Sequence, residues 1–187
     1  MSHQSSSGPG GTARPLRIGV TGHLDLTDAT TRAVDAELRR HLLGLRGFSA
    51  SAQHPVNLIG VSCLARGADS VFARVLVELG GELEVILPSA DYREAAVGPE
   101  HAPLFDEMLG RATTVRTMPA ARAGWAAYAA ANNALLDVID QLFAVWDGKP
   151  PVVDGGTASV VNRARDRGIP VTVIWPPGAQ REPATSR

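Results

Sequence analysis

The sequence predicts an α/β domain: a single, open, doubly wound and mostly parallel sheet of about six strands with helices on both faces. Three observations carry this. From Leu16 onward, short β-like runs alternate with helical stretches, the order that makes successive strands parallel and covers both sides of the sheet. Within the helical stretches, apolar residues recur at three- and four-residue spacing. Three glycine-bearing turns, Gly19-Val20-Thr21-Gly22-His23, Arg66-Gly67-Ala68-Asp69 and Gly155-Gly156-Thr157, each follow a strand-like run and precede a helix-like one.

The elements follow in order. The first strand is Leu16 to Thr21. Its helix begins at Thr27 or Asp28, either of which serves as an N-cap, carries Val34, Leu38, Leu42 and Leu45 on one face, and stops at Gly47. Strand two, Asn57 to Ser62, precedes the cleanest apolar stripe in the chain, Ala68, Val71, Phe72, Val75, Leu76 and Leu79, which Gly80-Gly81 ends. Strand three, Leu83 to Leu87, ends at Pro88. Gly98-Pro99 and Pro103 then interrupt the chain, so a lid-like loop and a short helix near Leu104 to Leu109 are expected. Strand four, Thr114 to Met118, leads to a long helix with Trp125, Tyr128, Leu135, Leu136 and Ile139 on one side. Strand five is Leu142 to Trp146. A helix from Ala158 to Arg167, closed by Gly168, hands over to strand six, Val171 to Trp175, and Pro176-Pro177 ends regular structure. Residues 1–15 are thus expected to be a disordered N-terminal tail, 16–177 the folded domain and 178–187 a polar C-terminal tail.

Bulk composition narrows the function classes. At 187 residues with 44% hydrophobic content, the chain suffices for one well-buried domain. Net charge is −1 and no basic run stands out, so nucleic acid is expected to be an unlikely partner. One cysteine, Cys63, and scattered histidines predict no metal site. Neither a leader nor a membrane-spanning segment is apparent, which gives the expectation of a cytoplasmic protein with no membrane partner.

In doubly wound sheets ligands bind beyond the C-terminal strand ends, where all three glycine turns fall. A helix N-terminus there presents unpaired N–H groups and partial positive charge, and glycines let phosphate oxygens approach the backbone. The candidate ligand-binding residues are Gly19, Thr21, Gly22, His23, Arg66, Gly67, Asp69, Asp147, Gly148, Gly155, Gly156 and Thr157. His23 suits contact with phosphate or ribose; its other reading is a solvated loop histidine. Arg66 can hold a phosphate by paired hydrogen bonds. Asp69, in the first turn of its helix, is favoured there by the dipole with or without a function, and the dipole predicts a lowered pKa. Asp147 and Asp154 bracket a proline-rich loop and can receive ribose hydroxyls, or can simply make a turn and cap a helix. If hydrolysis occurs, Asp69 and Asp154 are the candidate catalytic carboxylates. Neither a Gly-x-x-x-x-Gly-Lys-Ser/Thr loop nor a Gly-x-Gly-x-x-Gly fingerprint is present, which argues against P-loop hydrolysis and dinucleotide-dependent dehydrogenation.

The three turns, together with Ala144-Val145-Trp146-Asp147-Gly148 leading into Gly155-Gly156-Thr157, resemble the SLOG superfamily of Rossmann-like domains, the lonely-guy, lysine-decarboxylase-like and DNA-processing-protein-A group. The resemblance spans roughly Leu16 to Pro176. It implies binding of a phosphorylated nucleotide or a nucleotide-derived ligand of the ADP-ribose, NAD or nucleoside monophosphate class, no other cofactor, and a homodimer. One branch of that superfamily cleaves N-glycosidic bonds of nucleoside 5′-monophosphates, and another handles single-stranded DNA. The enzyme branch carries Pro-Gly-Gly-x-Gly-Thr followed by catalytic glutamates. Here Val153-Asp154-Gly155-Gly156-Thr157-Ala158-Ser159-Val160 has one glycine fewer and no glutamate. The departure favours a sensor or binding protein, with a phosphoribohydrolase-like enzyme as the alternative and an interaction module with a vestigial pocket as the next.

Overall fold

The computed structural model describes residues 14–47, 56–150 and 156–183. Its elements are β1 (Leu16–Gly22), α1 (Asp28–Gly47), β2 (Leu58–Ser62), α2 (Ala68–Glu78), β3 (Glu82–Leu87), α3 (Tyr92–Ala96), α4 (Ala102–Arg111), β4 (Thr114–Thr117), α5 (Trp125–Leu136), β5 (Gln141–Val145), α6 (Thr157–Asp166) and β6 (Val171–Val173). The six strands form one sheet in the order β4-β3-β2-β1-β5-β6, and every strand pairing is parallel. The chain therefore starts mid-sheet, winds outward to β4, and returns across β1 to build β5 and β6. Strand order reverses between β1 and β5, which opens a crevice at their C-terminal ends.

Alternation along the strands sorts the core into two layers. Ile18, Val20, Leu58, Leu83, Val85, Phe143 and Val145 pack with Val34 and Leu38 of α1, Phe72 and Leu76 of α2 and Phe105 of α4. On the other face Val61, Ile86 and Leu142 pack with Ala131 and Leu135 of α5 and Val160 and Ala164 of α6. The single domain with helices on both faces is thus as the alternation of elements predicts.

Three details differ. Residues 91–110 are no lid: Tyr92, Phe105 and Met108 are buried in the core, and Arg93 grips Asp106 through two hydrogen bonds of 2.6 Å. Pro103 lies in the first turn of α4, where a missing N–H costs nothing, so it opens a helix where the sequence suggests a break. The stripe assigned to α5 also divides, because Leu135 and Leu136 are buried whereas Trp125 is 61% exposed and Ile139 lies beyond the helix. An alanine-rich helix that is apolar all round offers no clear face to read. Finally, residues 178–183, assigned by sequence to a polar tail, run back over the start of α1. Leu26 and Arg181 form an antiparallel bridge, Glu182 N–H donates to Asp25 C=O (2.8 Å), and Arg181 pairs with Asp25 (3.1 Å). Residues 1–13 lie outside the described residues. No described helix is long and apolar enough to cross a membrane.

Candidate functional site

The β1 turn is wedged between two neighbours. His23 N–H donates to the carbonyl of Val145 at the end of β5 (3.1 Å), and His23 C=O accepts from Ala68 N–H at the start of α2 (3.1 Å). No side chain fits at Gly22, where a Cβ would lie 2.4 Å from the Ala68 Cβ and 2.8 Å from the Val145 carbonyl oxygen. Gly67 meets the same turn from the other side with φ +79°. The first and second glycine turns are therefore one packed unit, as their shared edge implies.

That packing occupies the starts of two helices. Ala68 N–H of α2 is taken by His23, and α1 is capped by Thr27, whose Oγ1 accepts Thr30 N–H (3.2 Å). The C-terminal return adds Gln180 N–H to Thr30 Oγ1 (2.7 Å) and Gln180 C=O to Thr27 N–H (3.3 Å). By contrast, α6 begins on Gly156 in extended conformation with no side-chain cap among the described residues. Thr157 is the first residue of that helix, and α6 packs on β1, β5 and β6, which sets its start beside the crevice. Gly155 and Asp154 lie outside the described residues.

Across the crevice, His23 meets Asp147. Its Nε2 is 3.1 Å from Asp147 Oδ1 and 3.2 Å from the Asp147 backbone nitrogen, and the ring stands edge-on to Trp175 at 5.5 Å. Both side chains are nearly buried, with 11% and 8% exposed. Burial holds the His23 pKa below the usual imidazole value, although the Asp147 carboxylate pulls the other way. Burial also opposes ionisation of Asp147, but Lys149 N–H (3.2 Å) and His23 outweigh it and keep the carboxyl below its ordinary range. Gly148, with φ +77°, closes the turn in which Trp146 Nε1–H donates to Lys149 C=O (3.0 Å).

Asp69 turns away from this edge. It is buried, and its carboxylate accepts Cys63 N–H (3.2 Å), Ala65 N–H and a long hydrogen bond from Ser62 Oγ (3.4 Å), bracing residues 62–67. Leu64 in that loop holds φ 55°, its N–H donates to Ser62 Oγ (3.0 Å), and its carbonyl lies 3.0 Å from His101 Nε2. Burial pushes the Asp69 pKa up to about 7, overriding the lowering expected from the helix dipole. Arg66, carried on the braced loop, is exposed and has no hydrogen bond or ion pair to any described residue.

Sequence spacing thus brings together Gly22, His23, Gly67 and Asp147, with Arg66, Gly156 and Thr157 at the same strand ends. It does not bring in Gly19, whose α-carbon faces Leu135 and Ile139 inside the sheet, and it leaves Thr21 buried. Residues not singled out for this edge are Leu24, half exposed beside Gly67, and Arg122, exposed and unpaired among the described residues just ahead of Trp125. A basic residue in a Pro/Gly loop after a strand is the only signal that points to Arg122. No group of three His, Cys, Asp or Glu side chains among the described residues is placed to hold a metal.

No family model matches this sequence, and no curated protein matches it in sequence. Solved structures do match in fold. DNA processing protein A from Helicobacter pylori, described for its single-stranded DNA binding mode, aligns over 89% of this chain and 69% of its own at 14% identity, with a TM-score of 0.60. The molybdenum cofactor binding protein of Rippkaea orientalis aligns over 87% of this chain and 77% of its own at 18% identity, with a TM-score of 0.53. DNA processing protein A from Streptococcus pneumoniae aligns over 84% of this chain and 58% of its own at 13% identity, with a TM-score of 0.49. One expectation is overturned. Nucleic acid is no longer set aside as an unlikely partner, because a single-stranded DNA-binding protein shares the fold, and net charge averages over a surface whose local groups do the binding. The chain shares, at a distance, the Rossmann-like fold of DNA processing protein A and the molybdenum cofactor binding protein.

Proposed function

We propose that the protein binds a phosphorylated nucleotide or nucleotide-derived metabolite in the crevice between β1 and β5, acting as a sensor or binding protein. The observation that carries this is the start of α6 at the strand-order reversal, on an extended Gly156 with no side-chain cap from the described residues. A phosphate would take backbone N–H groups from Gly156 and Thr157, with the exposed Arg66 as charge partner. The molybdenum cofactor binding protein of Rippkaea orientalis, which shares this fold, is compatible with that use.

The test is a panel of nucleoside monophosphates, NAD and ADP-ribose, following melting temperature and released base together. Gly156→Val should abolish ligand-dependent stabilisation while the protein stays folded, because the side chain fills the space a phosphate oxygen needs. Thr157→Ala should weaken binding by about 1 kcal/mol, as for one lost hydrogen bond. Unchanged affinity in a folded Gly156→Val protein would remove the α6 site. Base release by the wild type would favour the hydrolase alternative, whose catalytic carboxylate would have to be Asp154 or Asp147, since Asp69 faces inward.

A second reading, single-stranded nucleic acid, draws on Arg122 and Trp125, both exposed beyond β4. Four strand spacings separate β4 from β5, roughly 19 Å, a length suited to several nucleotides in a row. An exposed tryptophan and unpaired arginines suit base stacking and phosphate contact. Short oligonucleotides of increasing length belong in the same panel; affinity that rises with length and falls in Arg122→Ala and Trp125→Ala supports this reading. A second copy of the chain as partner rests only on Trp125 and Tyr128, and light scattering that gives the mass of one chain would dismiss it. Cytoplasmic residence is also a proposal.

A further inference from the structure

We propose that residues 178–183, the C-terminal return, form a detachable strap over the β1 side of the crevice, so that strap docking and ligand binding compete. This rests on the nucleotide reading above and adds to it a means of regulating the same site.

The strap is held by few contacts. Gly178, at φ +79°, turns the chain back after Pro176-Pro177. Beyond it the hold is made by main-chain groups: Gln180 N–H donates to Thr30 Oγ1 (2.7 Å), Gln180 C=O accepts from Thr27 N–H (3.3 Å), and Glu182 N–H donates to Asp25 C=O (2.8 Å). One ion pair, Arg181 with Asp25 at 3.1 Å, lies where solvent screens it. None of residues 178–183 is buried, so no core side chain anchors the strap. A segment with exposed hydrogen bonds and no core contact opens while the rest of the domain stays folded.

The helix beneath is complete without it. Thr27 Oγ1 accepts Thr30 N–H (3.2 Å) and donates to Thr30 Oγ1 (2.9 Å), and Thr27 C=O accepts Thr31 N–H (2.8 Å), so α1 is capped by its own residues. Leu26 packs in the core by itself. The strap therefore adds a cover to a start that is already formed.

Its position gives the cover a consequence. Asp25, Leu26 and Thr27, which the strap lies against, follow directly on His23, and the His23 ring stands between Asp147 of the β5 end and Trp175, the residue that leads into the strap. α1 and α6 follow the two strands that flank the reversal and lie on opposite faces of the sheet. A ligand held at the start of α6 and extending towards β1 meets the strap on the far side. The charges there are consistent with close approach: burial is the main cause of the lowered His23 pKa and the Arg181 cation adds to it, against Asp147 and Asp25.

The experiment uses full-length variants. Gln180→Pro with Glu182→Pro removes two of the donated hydrogen bonds and changes no residue outside the strap, and Arg181→Glu sets a like charge against Asp25. In wild type, amide exchange at Thr27, Gln180 and Glu182 should run well ahead of that at Val20 and Leu38. In the double-proline variant, His23 should titrate at higher pH by NMR, because the Arg181 cation leaves and Asp25 loses its partner. Both variants should bind nucleoside monophosphates, NAD or ADP-ribose about tenfold more tightly than wild type, the gain for a strap undocked in roughly one wild-type molecule in ten. Saturating ligand should in turn speed exchange at Glu182 in wild type. Equal or weaker affinity in the folded variants, or strap amides that exchange only on global unfolding, overturns the inference and leaves the nucleotide reading standing. If neither wild type nor the variants bind any member of the panel, both fall.

Discussion

Gly67→Ala should cost the fold about 3 kcal/mol or more, read as a fall in the urea midpoint at unchanged slope. Gly67 holds φ +79° and ψ −123°, a region that L-residues avoid, and strain of that kind alone is worth roughly 1–3 kcal/mol. Its surroundings add to this. A Cβ there would lie 2.5 Å from the His23 carbonyl oxygen, 2.6 Å from that of Leu24 and 2.8 Å from the Leu24 carbonyl carbon. These are backbone atoms of the turn that His23 uses to reach Val145 and Ala68, so they cannot move aside without breaking those hydrogen bonds. Gly148 supplies the control. It also has positive φ, at +77°, but a Cβ there would meet no described residue within 4 Å, so Gly148→Ala should cost about 1 kcal/mol, from conformation alone. Equal losses in the two variants would show that close packing between the β1 turn and α2 is not what makes Gly67 necessary.

The contrast bears on how much of the molecule can be read without coordinates. The α2 stripe is legible because a long run of apolar residues at helical spacing has one meaning, and the positions of the strands follow from the turns that bound them. Glycine turns show where the ligand edge lies. They do not show which helix starts are occupied, because that depends on chain segments far away: Gln180 caps the α1 region from 150 residues downstream, and His23 occupies Ala68 across a turn. Asp147 was a candidate for ribose and His23 for phosphate or ribose, but their pairing spans 124 residues and appears only when β5 is laid beside β1. Trp125 was misread for a different reason. Its helix is so rich in alanine that its large residues suggest a face that the packing does not use. For Asp69 the position was right and the environment was not, since α2 is covered by α4 and the buried Tyr92, neither of which a first-turn rule can see.

Asp69 therefore yields the other large effect, a pH dependence of stability opposite to that of a common paired carboxylate. Two influences compete at this group. Burial penalises the charge, whereas Ala65 N–H, Cys63 N–H and the Ser62 hydroxyl favour it, and burial prevails to push the pKa up to about 7 from an ordinary value of 3.8. A carboxyl whose folded pKa is raised binds its proton more tightly in the native state, so its contribution is fully present below about pH 4 and is lost as pH rises through 7. At roughly 1.4 kcal/mol per pKa unit, the swing is about 4 kcal/mol. His23 and His41, whose pKa values are lowered chiefly by burial, act in the other direction: their contributions are present above the ordinary value of 6.5 and are lost as pH falls below it. The total curve mixes these, so the informative quantity is the difference between wild type and Asp69→Asn, in which the histidines cancel. The amide keeps the shape and one acceptor but cannot titrate, and its NH2 faces a backbone donor at a cost that does not vary with pH. Wild type should be clearly more stable than Asp69→Asn at pH 4 and should lose that advantage steadily up to pH 8. Because Asp69 braces the loop that carries Arg66 and Gly67, amide exchange at Cys63 and Ala65 should quicken over the same interval, after correction for its intrinsic pH dependence. A stability difference that stays flat from pH 4 to 8 would mean that the three hydrogen bonds overcome burial and that Asp69 is ionised in the folded protein, which would make it an anchored anion beneath Arg66.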